Sequence, residues 1–406
     1  SVRPSKTEAF EKLSRSLIET LRHNKRRIIL TDYGTASAVE PYATRAHAIP
    51  VRNFREGDLL NLSSLLPAEF NRFKAGNTRC WGCMTRCGQI RSVTEGPYSG
   101  SRTDGPEYET IFAFGFNLCN TNAASIIAAD MFCDLLGLDT ISAGVSISFA
   151  CELYERGILR SRDTTGLELT WGNHTAFIAL IKRIGLREGD FGHLLGEGVR
   201  NAAKQIGQGA EQYAMHVKGL EMPGYDPRAI KGYGLSYAVS NIGASHMYAR
   251  PSKELTGEIN PWTEEGKGGY IAWLQKEQAI RDCVIECAFG NSGLTRELRN
   301  QMLAAGTGFD GFAEQSFLEK VGERVVALER LFNLREGFTR EDDSLPRRCL
   351  SEPLQNAGPA TGQVVRKLDA LLNEYYDAMG YDRRGQPTPD KLRELGLCDA
   401  IQYVST

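Results

Sequence analysis

Three thiols fall within eight residues in Cys80-Trp-Gly-Cys83-Met-Thr-Arg-Cys87, spaced x2 and then x3. Thiolates gathered by one short loop can hold a Zn²⁺ ion or an iron–sulfur cluster, and three ligands leave a fourth to be supplied from elsewhere. A zinc site of the ribbon type needs a second C-x2-C pair. The chain has none; downstream it offers only Cys283-Val-Ile-Glu-Cys287. An iron–sulfur cluster needs one remote Cys, which that segment can supply. Cys119, Cys133, Cys151, Cys349 and Cys398 stand alone and read as small buried hydrophobes.

The second chemical stretch is Asp134-Leu-Leu-Gly137-Leu138-Asp139-Thr140-Ile141-Ser142. Its plain reading is a helix end followed by a new helix capped by Asp139 or Thr140. Such a junction also sets a carboxylate beside free backbone N–H groups. Together they can accept from and donate to an amino-heterocycle. On spacing alone Glu109 is an ordinary solvated or capping Glu and His246 a satisfied core His, as are His23, His47, His174, His193 and His216.

The elements that must carry these residues are helical. Residues 5–24 read as an amphipathic helix, with Ser5 and Glu8 at capping-box spacing and Phe10, Leu13, Leu17 and Leu21 on one face. Further 3.6-residue periodicity runs through 122–136, 175–184, 317–332 and 363–379, the last with Val365, Leu368, Leu371, Leu372 and Tyr375 as its stripe. Alternating strands are few. The fold class expected is mainly α, a multihelical two-domain array with irregular loops and little strand. The division falls at 1–218 and 219–406, near the Gly/Pro-rich 219–233 segment. A second soft boundary lies in 341–362.

Composition narrows the function. The 406 residues are 41% hydrophobic and 24% charged, with a net charge of −2. That balance suits an ordinary soluble protein and excludes an electrostatic binder of nucleic acid or of membrane surfaces. No apolar run reaches the roughly 18 residues of a membrane span. Ten cysteines are too sparse for a disulfide scaffold. The chain opens Ser1-Val-Arg-Pro-Ser-Lys, without a leader core or an initiator Met, as expected of a trimmed or processed chain. Clustered thiols in such a chain point to the cytoplasm.

Taken together, the cysteine spacing and the Asp134–Asp139 motif resemble the tungstopterin family of aldehyde:ferredoxin oxidoreductases. Further matching pieces are Pro50-Val51-Arg52-Asn53-Phe54, Gly105-Pro106-Glu107-Tyr108-Glu109-Thr110, Trp171-Gly172-Asn173, Lys218-Gly219-Leu220-Glu221, Asp226-Pro227-Arg228 and Gly243-Ala244-Ser245-His246. The resemblance runs from about residue 5 to 348. It implies a [4Fe–4S] cluster on Cys80, Cys83, Cys87 and Cys287. It also implies a tungsten bis-pterin of the molybdopterin type, with molybdenum as the other candidate metal. One pterin would be held by Asp134, Leu138, Asp139 and Thr140, the other by Asp282 and Glu286.

The family's metal-adjacent Glu and active-site His fall on Glu109 and His246, which makes them the expected proton acceptor and hydrogen-bond donor. The reaction implied is oxidation of a small aldehyde to a carboxylic acid, with electrons passed to ferredoxin. The same cofactor motifs would also serve reduction of an aromatic acyl thioester. A non-catalytic iron–sulfur or helical module is the other reading. Ile285 and Glu286 stand where the family's second pterin motif has Gly and Leu, and Ile242 and Ser245 replace an Arg and a Cys near His246. Residues 122–133 hold no His for the bridging iron of some members. The chain is expected to lack the family's N-terminal β domain and to work as a monomer or a homodimer.

Overall fold

A computed structural model describes residues 3–290 and 292–404. Among these residues there are seventeen α-helices, short 3₁₀ and π turns, and two small antiparallel sheets, so the fold is mainly α. No described helix is long and apolar enough to cross a membrane.

The first helix is Thr7–Arg22, shorter at both ends than its periodicity. The Ser5–Glu8 capping box is not made. Lys6 is the N-cap and lends no side chain, because the Ser5 and Lys6 N–H groups bond the Gly306 and Ala305 carbonyls instead. Tertiary docking has displaced a local cap. The C-terminal stripe is likewise cut back to Leu368–Met379. Its expected first turn is extended. Val365 N–H bonds Cys349 O, and Glu264 accepts from the Arg366 and Lys367 N–H groups. The other periodic segments become His174–Gly185 and Gln315–Arg335.

The apolar Ala123–Leu136 and Thr140–Glu155 helices form the centre of the first half. Asn122 caps the first of them through its side chain and Asp139 the second, through Ser142 N–H at 2.7 Å. One continuous core runs from Ala36 to Tyr381 and draws residues from both halves of the chain. The Cys80–Cys87 loop closes a hairpin between β1 (Lys74–Thr78) and β2 (Gly88–Ser92), with β3 (Arg102–Thr103) on the other side of β2. A Cβ at Gly34 would meet Cys87 O at 2.9 Å, so only glycine lets this segment lie against the loop.

Buried ion pairs close the halves on each other. Arg348 donates to both Glu152 carboxylate oxygens at 2.7 and 2.8 Å, with both side chains fully buried. The same guanidinium reaches Asn53 O, while Asn53 Nδ2 donates to Glu152 at 2.7 Å. Burial alone would raise the Glu152 pKa; the hydrogen bonds and charge of Arg348 outweigh it and hold the carboxyl below its ordinary value.

The two Asp-x-x-x-x-(Asp/Cys) turns share a backbone feature that their sequences do not. The fourth residue is left-handed in both, Gly137 at φ 67° and Ile285 at φ 57°. A β-branched residue there costs about 1–2 kcal/mol. Ile285 is 92% exposed, so its side chain recovers little by packing.

Two outcomes follow for stability. Arg348→Met strands the Glu152 carboxylate and should lower the unfolding free energy by about 3–5 kcal/mol in a urea titration; a loss below about 1 kcal/mol would show that the pair does not hold the halves. Ile285→Gly should raise the urea midpoint, by up to about 1 kcal/mol once the entropy of a free glycine is subtracted. A drop would mean that the left-handed turn is not the native one.

Candidate functional site

Glu109 lies on the short Tyr108–Ile111 helix, which leads into the fully buried π turn Phe112–Phe116. Gly224 grips this helix from the other half of the chain. Its N–H donates to Glu109 Oε2 at 2.8 Å, and its carbonyl accepts from the Tyr108 hydroxyl at 2.6 Å. His246 follows the Lys231–Val239 helix in an irregular loop and brings Nδ1 to 3.4 Å from Glu109 Oε1. The Glu109 and His246 side chains are only 13% and 15% exposed.

This contact is not an ion pair at neutral pH. Desolvation pushes Glu109 up to about 8, against the opposing pull of Gly224 N–H and the Arg250 charge. It also pushes His246 down to about 3, helped by repulsion from Arg250. A protonated carboxyl therefore faces a neutral imidazole. Glu109 Oε1 is buried without a hydrogen-bond partner, an orphan of the kind that a bound group satisfies.

Two cavities meet at Glu107 and Glu109. The first, of about 480 Å³, is apolar and aromatic and also holds His246. The second, of about 360 Å³, is lined by Asp134, Leu138, Asp139 and Thr140, the four residues expected from the first motif. It also contains Asp104, Asp130, Glu107 and Glu109, so six carboxyl groups face one space. Such a lining rejects phosphates and suits a ligand rich in N–H donors, as an aminopterin ring is.

Asp130 is the residue the sequence reading missed. It is 6% exposed, accepts from the Thr103 hydroxyl at 2.7 Å and from Thr110 at 3.2 Å, and is pushed up to about 7 by desolvation. Its signal was its place one helical turn before Asp134, on the same face.

The second motif is arranged differently. Asp282 accepts from Gln278 at 2.8 Å and lines a separate cavity of about 230 Å³ with Tyr248, Cys283 and Glu329. Glu286 sits 3.6 Å from Arg281. The structure therefore does not bring Asp282 into the space shared by Glu109 and Asp134.

The thiols come together only loosely. Desolvation, and then repulsion from Glu107, Cys287 and Cys83, raises the Cys87 thiol, so Cys287 lies within electrostatic reach of the hairpin loop. Cys83 is lowered. Backbone hydrogen bonds from Arg86 and Thr85 overcome its desolvation. Cys287 Sγ accepts N–H groups from Phe289 and Gly290 at 3.4 and 3.3 Å, and Cys83 Sγ accepts from Thr85 N–H at 3.4 Å. Among the described residues no three His, Cys, Asp or Glu side chains converge on a point that would hold a single ion. A four-iron cluster does not need such convergence, since it spreads its thiolates over its corners. All-thiolate donors with N–H···S bonds fit that group.

Comparison with known proteins bears on the chain as a whole. The family model described as aldehyde ferredoxin oxidoreductase, domains 2 and 3, matches residues 12–397. The tungsten-containing aldehyde ferredoxin oxidoreductase of Pyrococcus furiosus is 36% identical over 378 residues, which cover 91% of this chain and 60% of that protein. The Pyrococcus horikoshii enzyme of the same name is 37% identical over 379 residues. The "aliphatic sulfonate oxidoreductase, WOR-like subunit" of P. furiosus is 34% identical over 341 residues, covering 80% of this chain and 51% of that one. In solved structures the fold resembles a chain of the active site complex BamBC of benzoyl coenzyme A reductase, with a TM-score of 0.78 at 21% identity over 98% of this chain and 66% of that chain. The chain spans about 60% of the length of its aldehyde ferredoxin oxidoreductase relatives. With the match running over nearly its whole length, the chain belongs to the aldehyde ferredoxin oxidoreductase family, of which it carries domains 2 and 3.

Proposed function

We propose that this chain carries the acid–base half of an aldehyde-oxidising site, in which an aldehyde and water become a carboxylic acid and electrons leave to ferredoxin in the cytoplasm. The observation that carries the reading is the desolvated Glu109–His246 contact at the junction of an apolar cavity and an acidic one. A tungsten or molybdenum pterin centre would supply the two-electron oxidation, and a [4Fe–4S] cluster its single-electron exit. Asp134, Asp139 and Thr140 would hold the pterin, and Cys80, Cys83, Cys87 and Cys287 the cluster. Asp282, from its separate cavity, and Glu286 remain candidates for a second pterin. The division at 218/219 would then set Glu109 on one domain and His246 on the other.

The residues divide the proton work. Aldehyde oxidation releases protons as a water-derived oxygen is added. Glu109, with a pKa near 8, exchanges a proton close to neutrality. His246 stays neutral down to about pH 3 and so offers one ring N–H to a carbonyl oxygen without bringing a competing charge. Tyr225, whose ring centroid lies 5.3 Å from that of His246, backs the imidazole and keeps water away.

Anaerobic purification from tungstate-supplemented cells tests the reading. About four irons and one tungsten or molybdenum per chain, with aldehyde-dependent reduction of a viologen dye, are expected. Iron without the heavier metal would identify an electron carrier instead, and no metal at all a non-catalytic helical module.

Glu109→Gln should lower kcat at least about 100-fold and raise the unfolding free energy at pH 7, because the carboxyl ionises there only in the unfolded chain and the amide escapes that penalty. Retention of kcat would remove Glu109 from the proton path. In the parent, kcat should climb as pH rises through about 8, since only the ionised carboxylate accepts. The stability effect has the opposite sign. A raised carboxyl pKa favours the native state most below the ordinary value of 4.5, and that contribution is lost as pH rises through about 8.

A further inference from the structure

The 480 Å³ cavity has a charge that its proposed chemistry does not use. Arg26 and Arg250 both line it. Arg26 stands on the exposed face of the Lys25–Tyr33 helix. Arg250 lies with its guanidinium 5.6 Å over the Phe289 ring, and its hydrogen bond goes to the Met247 sulfur. Among the described residues neither makes an ion pair with a carboxylate. Other arginines of this chain do: Arg348 with Glu152, Arg228 with Asp226, Arg330 with Asp343. Two guanidiniums that share one cavity without a counter-ion repel each other, and the fold bears that cost.

The carboxylates that face the cavity do not relieve it. Glu109 is protonated at neutral pH. Glu107 accepts from the Thr35 hydroxyl and lies under the charge of Arg91. Desolvation, and then repulsion from Arg250 and Arg281, lowers the Arg26 guanidinium below its ordinary value, so Arg250 lies within electrostatic reach of it. The rest of the wall is apolar: Leu30, Pro41, Tyr42, Leu255 and Phe289. The cavity thus has neutral groups at Glu109 and His246, a hydrophobic and aromatic body, and two guanidiniums in its wall.

We propose that the cavity selects an aldehyde that carries an apolar or aryl body and a compact oxyanion, and that Arg26 and Arg250 take that oxyanion as a pair. Guanidinium forks suit a carboxylate or a phosphate better than a point charge would. The proposal rests on the reading that an aldehyde is oxidised at Glu109 and His246. The same cationic pair could instead take a phosphate carried by the pterin cofactor, so the experiment must separate these two sources. The acidic cavity beside Asp134 holds no such cation in its lining.

The test uses the metal-loaded protein and two matched pairs of compounds, benzaldehyde with 4-formylbenzoate and benzoate with terephthalate. Wild type should show kcat/KM at least 10-fold higher for 4-formylbenzoate than for benzaldehyde, mainly through KM. The preference should shrink as KCl is raised. Arg26→Gln/Arg250→Gln should bring the ratio close to one. Calorimetric titration, which needs no turnover, should show terephthalate binding at least 10-fold more tightly than benzoate in wild type and equally weakly in the variant. Binding preference without any aldehyde turnover would keep the anion site and remove the oxidation reading. Equal binding and equal kcat/KM within each pair in wild type would overturn the anion site, with no variant required. A variant that loses its tungsten or molybdenum while wild type shows no anion preference would assign the arginines to the cofactor's phosphate, and would overturn the proposal too.

Discussion

The structure depends on charges buried in pairs at the seam between its two halves. Arg348 reaches across almost two hundred residues to the Glu152 carboxylate, and both side chains are fully buried. Lys218 crosses the same seam to Asp343 at 2.8 Å, and Arg330 holds Asp343 from within the second half at 2.9 Å. Arg228, paired with Asp226 in its own half, crosses the seam by donating to the Phe54 carbonyl. Each pair costs desolvation that is recovered only when the partners and their remaining hydrogen bonds are all in place. Such pairs specify one way of closing the seam, because any other register strands a charge in the core.

That constraint explains the unusual electrostatics of the candidate site. Glu109 comes from one half, Gly224 and His246 from the other, and the closed seam keeps all three out of water. Within the site no strong partner compensates the loss of hydration, so both groups give up charge instead. The carboxyl takes a proton and the imidazole releases one. The protein thus satisfies its structural charges by pairing and leaves Glu109 and His246 neutral. The six carboxyl groups around the second cavity follow the same logic: Asp130 is pushed up to about 7 because neighbours and burial disfavour another negative charge.

The sequence revealed the helices by their apolar period and the thiol loop by its spacing, since both signals are local. Helix ends were less legible. The N-terminal cap at Ser5 lost to a contact with Gly306, three hundred residues away, and the turn before Leu368 lost to Glu264. Neither competitor can be seen in a local window. Asp134, Asp139 and Thr140 were recognisable from their motif, but Asp130 was not, because its role comes from the burial of the helix face it shares with Asp134. Arg26 and Arg250 are over two hundred residues apart, and nothing in composition or spacing pairs them. What makes them notable is that, among the described residues, neither is paired with a carboxylate in the cavity they share.

The second Asp-to-Cys turn shows how far a motif can drift while its backbone stays. With Ile285 and Glu286 in place of Gly and Leu, the sequence argues against the loop, since a β-branched residue disfavours the left-handed conformation. Yet Ile285 adopts φ 57°, within 10° of Gly137 in the intact motif. The turn is held from both sides. The helix Gly268–Cys283 ends with Val284, Ile285 and Glu286 N–H groups bonded back to its last carbonyls, and Cys287 Sγ accepts the next two free N–H groups beyond Ala288. These bonds over-determine the conformation, so Ile285 can carry the strain with its side chain in solvent. What has changed is the chemistry the turn displays. Glu286 puts a carboxylate beside Arg281 where the family has an apolar residue, and Asp282 faces its own cavity. The turn keeps the backbone of the first motif and holds the Cys287 thiol by two N–H groups, while its carboxylates face Arg281 and a separate cavity, so the two turns present different chemistry from one backbone.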